Sequence, residues 1–348
     1  MKHGTIKGEA MELKKPESWL WHLLGFLLPT VAIFGNVVGG NFVFSGTILA
    51  LGVYPILDWV LGEDHHHRKE RTNGTPFEAM LYIHAILMVP LILTVCWRGF
   101  QDGNAWTTWA AAFSTGIATG MCGIVVGHEL GHKKPKSIGW WMGRVTLILV
   151  FYSHFTTEHN FNHHKYVATK NDAASAPRGR GIWFHVAQTI PLQFISAWSI
   201  RSKRSRTFLH NSVLHGIIIQ VIFAIFIWFI FGKWGLAALF FQAALSIFLL
   251  EYVNYIRHYG LEREVGERQT EMHSWQSKKR LSRWALIELT LHPSHHMKAS
   301  LPFWKLQPYD DVPELPTGYF GLFWPCLIPP LWRRWLDPRI PPELTKSK

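Results

Sequence analysis

Apolar residues along this chain are gathered into long runs, and charged residues lie almost entirely between the runs. A helix of about 20 apolar residues crosses the hydrocarbon core of a bilayer. Core helices of soluble proteins rarely reach that length without a charged face. The pattern therefore predicts an all-α integral membrane protein with six transmembrane helices. The predicted spans are 19–40, 41–62, 77–97, 104–127, 207–232 and 233–256.

Lys and Arg residues are distributed unevenly between the two ends of these spans. The connections after the first, third and fifth spans contain only Arg98 and Lys233, and the other 33 of the 35 basic residues lie elsewhere. Because cytoplasmic loops carry the excess of Lys and Arg, both termini are predicted to be cytoplasmic, in a bacterial inner membrane. This topology accounts for the formal net charge of +12, so no nucleic-acid partner is predicted.

The two longest segments outside the spans lie at the same predicted end as the termini. Residues 128–206 and 257–348 are predicted to form a cytoplasmic helical cap, and 1–348 is predicted to be a single domain. Within the cap, the stretch 138–157 is apolar but is interrupted by Arg144. This interruption predicts a buried or membrane-grazing helix rather than a seventh span.

Histidine is the unusual feature of the composition, with 20 residues, many of them in tight clusters. The clusters are HELGH at 128–132, EHNFNHH at 158–164 and LHPSHH at 291–296, and His258 follows the sixth span. Histidines four residues apart share one face of a helix. All these sites fall at the predicted cytoplasmic membrane boundary, although the topology rests on Lys and Arg alone.

The nine clustered imidazoles at one depth predict a metal site. Neutral imidazole is a good ligand for Fe, Zn, Cu and Ni. One tetrahedral metal ion takes four ligands, so nine imidazoles suggest two metal ions. The three cysteines form no CxxC pair, which argues against an iron–sulfur cluster, and the scarcity of carboxylates argues against Ca or Mg.

Two other kinds of metal protein remain open at this point. HELGH alone matches the HExxH pattern of zinc metalloproteases, in which His128 and His132 would bind zinc and Glu129 would act as the base. That assignment leaves most of the clustered histidines without a role. A metal transporter is the other alternative, but transporters usually place their ligands near the bilayer midplane rather than at one edge.

The four histidine motifs resemble the signatures of the membrane alkane hydroxylases, also called alkane 1-monooxygenases. This family belongs to the integral-membrane di-iron group that includes fatty-acid desaturases and xylene monooxygenase. The resemblance covers nearly the whole chain, because DWVLGED at 58–64 and PELPTGY at 313–319 also follow the family pattern. NYIRHYGL at 254–261 is the element that points to the hydroxylases rather than the desaturases.

The resemblance implies a di-iron monooxygenase that inserts one oxygen atom from O2 into a C–H bond, usually of a terminal methyl group. The implied substrate is an apolar molecule from the bilayer, such as a medium-chain alkane, and the implied electron source is rubredoxin with its NAD(P)H-dependent reductase. A fatty-acyl desaturase and an aromatic-methyl hydroxylase are the alternatives within the group. The implied ligands of the two Fe ions are His128, His132, His159, His163, His164, His258, His292, His295 and His296.

The sequence departs from the family pattern at four positions near these ligands. The family usually has Glu where Arg257 precedes His258, and Gly where Asn162 precedes His163. Its last motif usually reads RHSDHH, whereas Pro293 and Ser294 occupy that motif here. We expect these changes to alter the redox potential of the site or its substrate.

Four acidic residues near the motifs are candidates to hold the ligands in place. Metal-bound imidazoles normally donate their second N–H to a carboxylate or a carbonyl oxygen. Glu251 is the strongest of the four candidates because it lies inside the sixth span, where an unpartnered carboxylate is costly. The candidates are Glu129, Asp172, Glu251 and Glu288.

Overall fold

The computed structural model describes residues 13–344, and helices are its regular secondary structure. No β-strand occurs within this range, where the only β-type pairs are isolated bridges. The basic tail residues within 1–12 and 345–348, which contributed to the predicted topology, lie outside the described residues. In chain order the helices are α1 Trp19–Val38, α2 Gly40–Val60, α3 Thr75–Asp102, α4 Trp106–Gly131, α5 Ile138–Leu149, α6 155–166, α7 Ile182–Ser202, α8 Ser212–His258, α9 Arg280–Ala285, α10 His292–Met297, α11 Tyr319–Cys326 and α12 Pro329–Leu336.

Five of these helices, α1 to α4 and α8, are long and apolar enough to cross a membrane. The first four agree with the first four predicted spans to within five residues at each end. The number of separate helices differs from the prediction, because the predicted spans 207–232 and 233–256 both fall within α8. The prediction of an all-α membrane protein is therefore confirmed, and the count of six spans is not.

Helix α8 is too long to be one straight span. Its 47 residues would measure about 70 Å, whereas the hydrocarbon core is about 30 Å thick. The helical conformation is interrupted at Gly232, whose φ of 61° and ψ of −168° suit glycine because it lacks a Cβ atom. Val221 from before the break and Phe240 from after it line one groove, so the two arms lie side by side.

Helix α4 lies at the centre of the spans. Its residues are small where it meets α8, and a Cβ atom at Gly116 would lie 2.8 Å from the Leu245 Cβ. Thr119 of α4 donates to Gln242 of α8 at 2.8 Å, and its hydroxyl lies 2.5 Å from the Ser246 hydroxyl. Small residues and hydroxyl hydrogen bonds of this kind allow spanning helices to pack closely where no hydrophobic effect drives them together.

The predicted buried or membrane-grazing helix is present as α5, but it ends at Leu149 rather than 157. A turn follows in which Phe151 has a φ of 59°. This turn reverses the chain and leads it into α6. The Arg144 guanidinium lies over the Trp140 ring at 4.7 Å, which gives the charge an aromatic partner within an apolar helix.

A buried cluster of charged side chains joins α1 and the loop after α2 to the segment that precedes α10. Arg283 donates to Glu288 at 2.7 Å and to Asp64 at 3.1 Å. The His22 ring, from α1, lies 3.0 Å from the other oxygen of Glu288. Burial would raise the pKa of Glu288, but the Arg283 charge and the His22 ring lower it to about 2. The cluster fixes the chain four residues before His292.

We expect Glu288→Gln to destabilise the protein by roughly 3 kcal/mol at pH 7, because it leaves the buried Arg283 charge without its main partner. The folded-state pKa of Glu288 lies below its ordinary value of 4.5, so its stabilisation is present above that pH. The difference between variant and wild type should shrink as the pH falls from 4.5 to about 2. Thermal unfolding across this pH range measures the difference in stability, and the exposed Glu343→Gln serves as the control. A difference that does not change with pH would contradict the stabilising role of the ionised Glu288 carboxylate.

Candidate metal centre

The first histidine motif lies where α4 ends. The backbone widens into a π-helical turn at Gly120–Val125 and returns to α-helix for the HELG residues. His128 is buried on the last turn and His132 caps the helix, with ring centroids 5.1 Å apart. π-turns inside α-helices occur frequently at functional sites.

The second motif forms α6, which contains a π-turn at His159–His163. A π-helix returns to the same face after more residues than an α-helix does. His159 and His164 therefore meet, and their Nε2 atoms lie 3.0 Å apart. The His163 ring stacks on His159 at 5.1 Å, but its ligand nitrogen groups with those of His258 and His296, whose ring centroids lie 5.0 and 4.9 Å from its own.

The remaining ligand candidates come from the end of α8 and from the short helix α10. His258 is the last residue of α8. On α10, His292 and His296 lie one turn apart with their Nε2 atoms separated by 2.9 Å. His295 points to the other side, where its Nε2 lies 3.2 Å from that of His164.

The nine histidines form two adjacent groups. In each group, one ring nitrogen per residue lies within 4.8 Å of every other. The two groups adjoin, because the His164 and His296 ring centroids are 4.6 Å apart. The larger group is His128, His132, His159, His164 and His295, and the smaller group is His163, His258, His292 and His296.

The arrangement fits metal ions better than it fits hydrogen bonds between imidazoles. The Nε2 atoms of His128, His132 and His163 are buried and have no hydrogen-bond partner. An imidazole nitrogen has one lone pair or one proton, yet Nε2 of His164 lies close to two other ring nitrogens. Neighbouring nitrogens bound to one metal at about 2.1 Å lie about 3 Å apart, which matches the separations here. A cation at the centre of each group would satisfy all these lone pairs.

The protonation of the imidazoles also suits metal binding. Burial, together with the neighbouring imidazoles, holds the pKa values of His164, His292, His295 and His296 well below their ordinary value. These rings are therefore neutral at pH 7, which is the form that binds metal ions. A protonated ring would repel both its neighbours and a cation.

Asp172 orients one of these histidines. Its carboxylate lies 2.9 Å from Nδ1 of His163, and because a carboxylate only accepts, the ring donates from Nδ1 and leaves Nε2 free for a metal. Burial would raise the pKa of Asp172, but His163 and the hydrogen bond from Ser175 hold it below its ordinary value. Nδ1 of His258 faces the backbone oxygen of His273 at 3.2 Å. Because this partner is a backbone group, no pattern of side chains in the sequence could have indicated it.

The other three candidate carboxylates bond to different groups. Glu129 accepts from the backbone N–H of Phe303 at 3.0 Å through one of its carboxylate oxygens. Glu251 accepts from Tyr152, Gln193 and Asn254. Glu288 is engaged by Arg283 and His22, as described above. These three carboxylates hold the framework around the site.

An apolar cavity reaches the histidines from within the spans. Its lining includes Ile117, Met121 and Ile124 of α4, and His128 and His159 at one end. Arg257 and Tyr319 also line it. Tyr319 is the last residue of the PELPTGY stretch, and the family pattern alone assigns it no role. The structure supplies one, because the Tyr319 hydroxyl accepts from Nε of Arg257 at 3.2 Å.

Comparisons with known proteins agree with this geometry. Residues 104–334 match the family model described as fatty acid desaturase. The chain is 30% identical to alkane 1-monooxygenase 1 of Pseudomonas aeruginosa, over 95% of this chain and 92% of the relative. It is 33% identical to alkane 1-monooxygenase of Pseudomonas putida, over 97% of this chain and 88% of the relative.

A more distant relative is the xylene/toluene monooxygenase hydroxylase component of Pseudomonas putida, which is 26% identical over 88% of this chain and 85% of the relative. The curated relatives described here are thus monooxygenases, and the zinc-protease alternative finds no support among them. The expected resemblance to the membrane hydroxylases is confirmed. The chain therefore belongs to the fatty acid desaturase family and, within it, to the alkane 1-monooxygenases, and it is an oxygen-dependent oxidoreductase of the monooxygenase type.

Proposed function

We propose that this protein is a membrane di-iron monooxygenase that hydroxylates the terminal methyl group of an apolar substrate such as a medium-chain alkane. The observation that carries this proposal is the pair of imidazole groups, five and four rings, at one end of an apolar cavity. The overall reaction converts RH, O2, two electrons and two protons into ROH and water. The relatives named for alkanes and for xylene or toluene support an apolar substrate.

Each histidine group binds one Fe ion in this proposal. Imidazole nitrogen suits iron, and the groups contain no thiolate and no carboxylate that would favour another metal. When bound, the iron pair activates O2 for insertion into a C–H bond. The protein's own residues orient His163 through Asp172 and exclude water from the adjoining cavity.

The cavity orients the substrate. Its wall follows α4 from His128 back to Ile117, a length of about 16 Å for 11 residues. An alkane lying along this wall presents one end to the histidines and buries the rest among aliphatic and aromatic side chains. We infer that entry is lateral from the bilayer, because much of the lining comes from α2, α4 and α8, which are long enough to span it.

Electrons come from a separate protein, a rubredoxin supplied by an NAD(P)H-dependent reductase. The three cysteines of the chain are single buried thiols and offer no electron-transfer centre of their own. A groove reaches His132 and His164 from outside, and Lys133, Lys136 and Arg201 line it. A basic groove of this kind suits a small acidic electron carrier.

The topology proposed for the native membrane has six spans. The two arms of α8 form the fifth and sixth spans, with the turn at Gly232 on the far side from the histidines. The cap formed by 128–206 and 257–348 then lies on the cytoplasmic face of a bacterial inner membrane, with both termini. The positive-inside distribution of Lys and Arg supports this orientation.

Hydroxylation is tested directly with purified protein in nanodiscs, a rubredoxin, its reductase, NADH, octane and 18O2. We expect octan-1-ol that carries one 18O atom, because a monooxygenase transfers a single atom of O2 to the substrate. Assays without rubredoxin and assays with the His128→Ala variant are the controls. Octene as the product would favour the desaturase alternative, and oxidation of p-xylene but not octane would favour the aromatic-methyl hydroxylase.

The five-plus-four grouping predicts how double variants lose iron. His292→Ala with His296→Ala removes two ligands from the smaller group, so we expect about one of the two irons to remain. His295→Ala with His296→Ala removes one ligand from each group, so both irons should weaken together. The iron content per chain measures this loss, and thermal unfolding checks that each variant is folded. The exposed His65→Ala serves as the control. Equal iron loss in both double variants would contradict the grouping.

Asp172→Asn should weaken metal binding by roughly 10- to 100-fold, because the amide no longer fixes the His163 tautomer with a negative charge. The rate of iron release to a chelator measures this effect. The exposed Asp311→Asn serves as the matched control. Unchanged iron release in the Asp172 variant would show that the carboxylate has no influence on the metal site.

A further inference from the structure

Arg257 is a buried charge in a membrane-spanning helix. It lies one residue before the end of α8 and is only 3% exposed. Nε donates to the Tyr319 hydroxyl at 3.2 Å, and the guanidinium carbon lies 5.7 Å from the centre of that ring. Within residues 13–344, no carboxylate lies within ion-pair distance of this guanidinium. Of its three nitrogen atoms, Nε alone has a hydrogen-bond partner within these residues.

Buried carboxylates of the spans are engaged elsewhere. Glu251, on the same helix, accepts from Tyr152, Gln193 and Asn254. Asp58 of α2 accepts from the backbone N–H and the hydroxyl of Ser282, at 3.0 and 2.7 Å. An ionisable residue inside a span is costly unless it is partnered, and such residues generally mark functional sites.

The unpartnered donors of Arg257 belong to the wall of the apolar cavity. Arg257 is the one permanently charged residue in that wall, which is otherwise formed by aliphatic and aromatic side chains with a few neutral polar groups. The side chain is held in place, because the Tyr252 hydroxyl donates to the Tyr319 backbone oxygen at 2.6 Å and Tyr319 in turn accepts from Arg257. The cavity therefore combines one fixed cation with an apolar tunnel.

We propose that Arg257 forms a carboxylate-binding subsite, so that the cavity binds medium-chain alkyl carboxylates with the acid group at Arg257 and the alkyl chain along α4. A guanidinium is matched to a carboxylate by its planar fork of N–H donors. The alkyl chain would occupy the space that the proposed function assigns to the alkane, so the two ligands compete. This competition rests on the proposed function, whereas carboxylate binding itself does not.

Equilibrium dialysis with nanodisc-embedded protein tests the subsite, with empty nanodiscs subtracted. The probes are decanoate, decan-1-ol and acetate, and the proteins are the wild type, Arg257→Met, Arg257→Lys and the exposed control Arg334→Met. We expect the wild type and Arg334→Met to bind decanoate more tightly than decan-1-ol, and acetate far more weakly than either. Arg257→Met should weaken decanoate binding by roughly 10- to 100-fold, the value of a hydrogen bond to a charged group, and leave decan-1-ol unchanged.

Arg257→Lys should retain only part of the decanoate affinity, because it keeps the positive charge but loses the planar fork of donors. Equal binding of decanoate and decan-1-ol by the wild type would overturn the proposal without any variant, even if Arg257→Met fails to fold. Equal decanoate binding by folded Arg257→Met and wild type would also overturn it. In the alkane assay, decanoate should raise the KM for octane without lowering kcat. Failure of that assay to yield any product bears on the proposed function alone, since the dialysis measures binding without turnover.

Discussion

The convergence of nine imidazoles on two points is the constraint on which the rest of this structure depends. Buried ring nitrogens without partners are unfavourable in isolation, and a cation in each group turns the same arrangement into a stabilising one. The groups draw on four separate segments of the chain: the end of α4, α6, the end of α8, and α10. Metal binding would therefore join the long apolar helices α4 and α8 to the short helices α6 and α10.

Interactions within the protein itself, independent of any metal ion, position the segments that carry the histidines. Helices α4 and α8 are held together by small residues and hydroxyl hydrogen bonds, which sets the separation of His128 and His258. The Arg283–Glu288 pair fixes the segment that leads into α10, where Ile287 and Glu288 adopt positive φ values. The cost of that backbone strain is offset by the buried ion pair, and the result is a short helix with histidines on both of its sides.

Much of this architecture could be predicted from the sequence, because the properties that determine it are local. Apolar length specified the bounds of α1 to α4 to within five residues. The grouping of the histidines could not be predicted, because the π-turn at His159–His163 pairs His159 with His164 instead of His163. The hydrogen-bond partners of the buried carboxylates could not be predicted either. Asp172 contacts a histidine, whereas Glu251 accepts hydrogen bonds from α7 and from the turn after α5. Such long-range pairs depend on packing that a single sequence does not reveal.

Iron K-edge X-ray absorption of the purified, reduced protein tests the central claim most directly, because it reports the atoms bound to the metal. The account predicts a coordination shell dominated by imidazole nitrogen, with the multiple scattering of four to five rings per iron averaged over the two groups. Sulfur ligands, a shell dominated by oxygen, or only two rings per metal would contradict it. A zinc site formed by His128 and His132 alone would give no iron edge and a zinc K-edge spectrum with only two rings per metal.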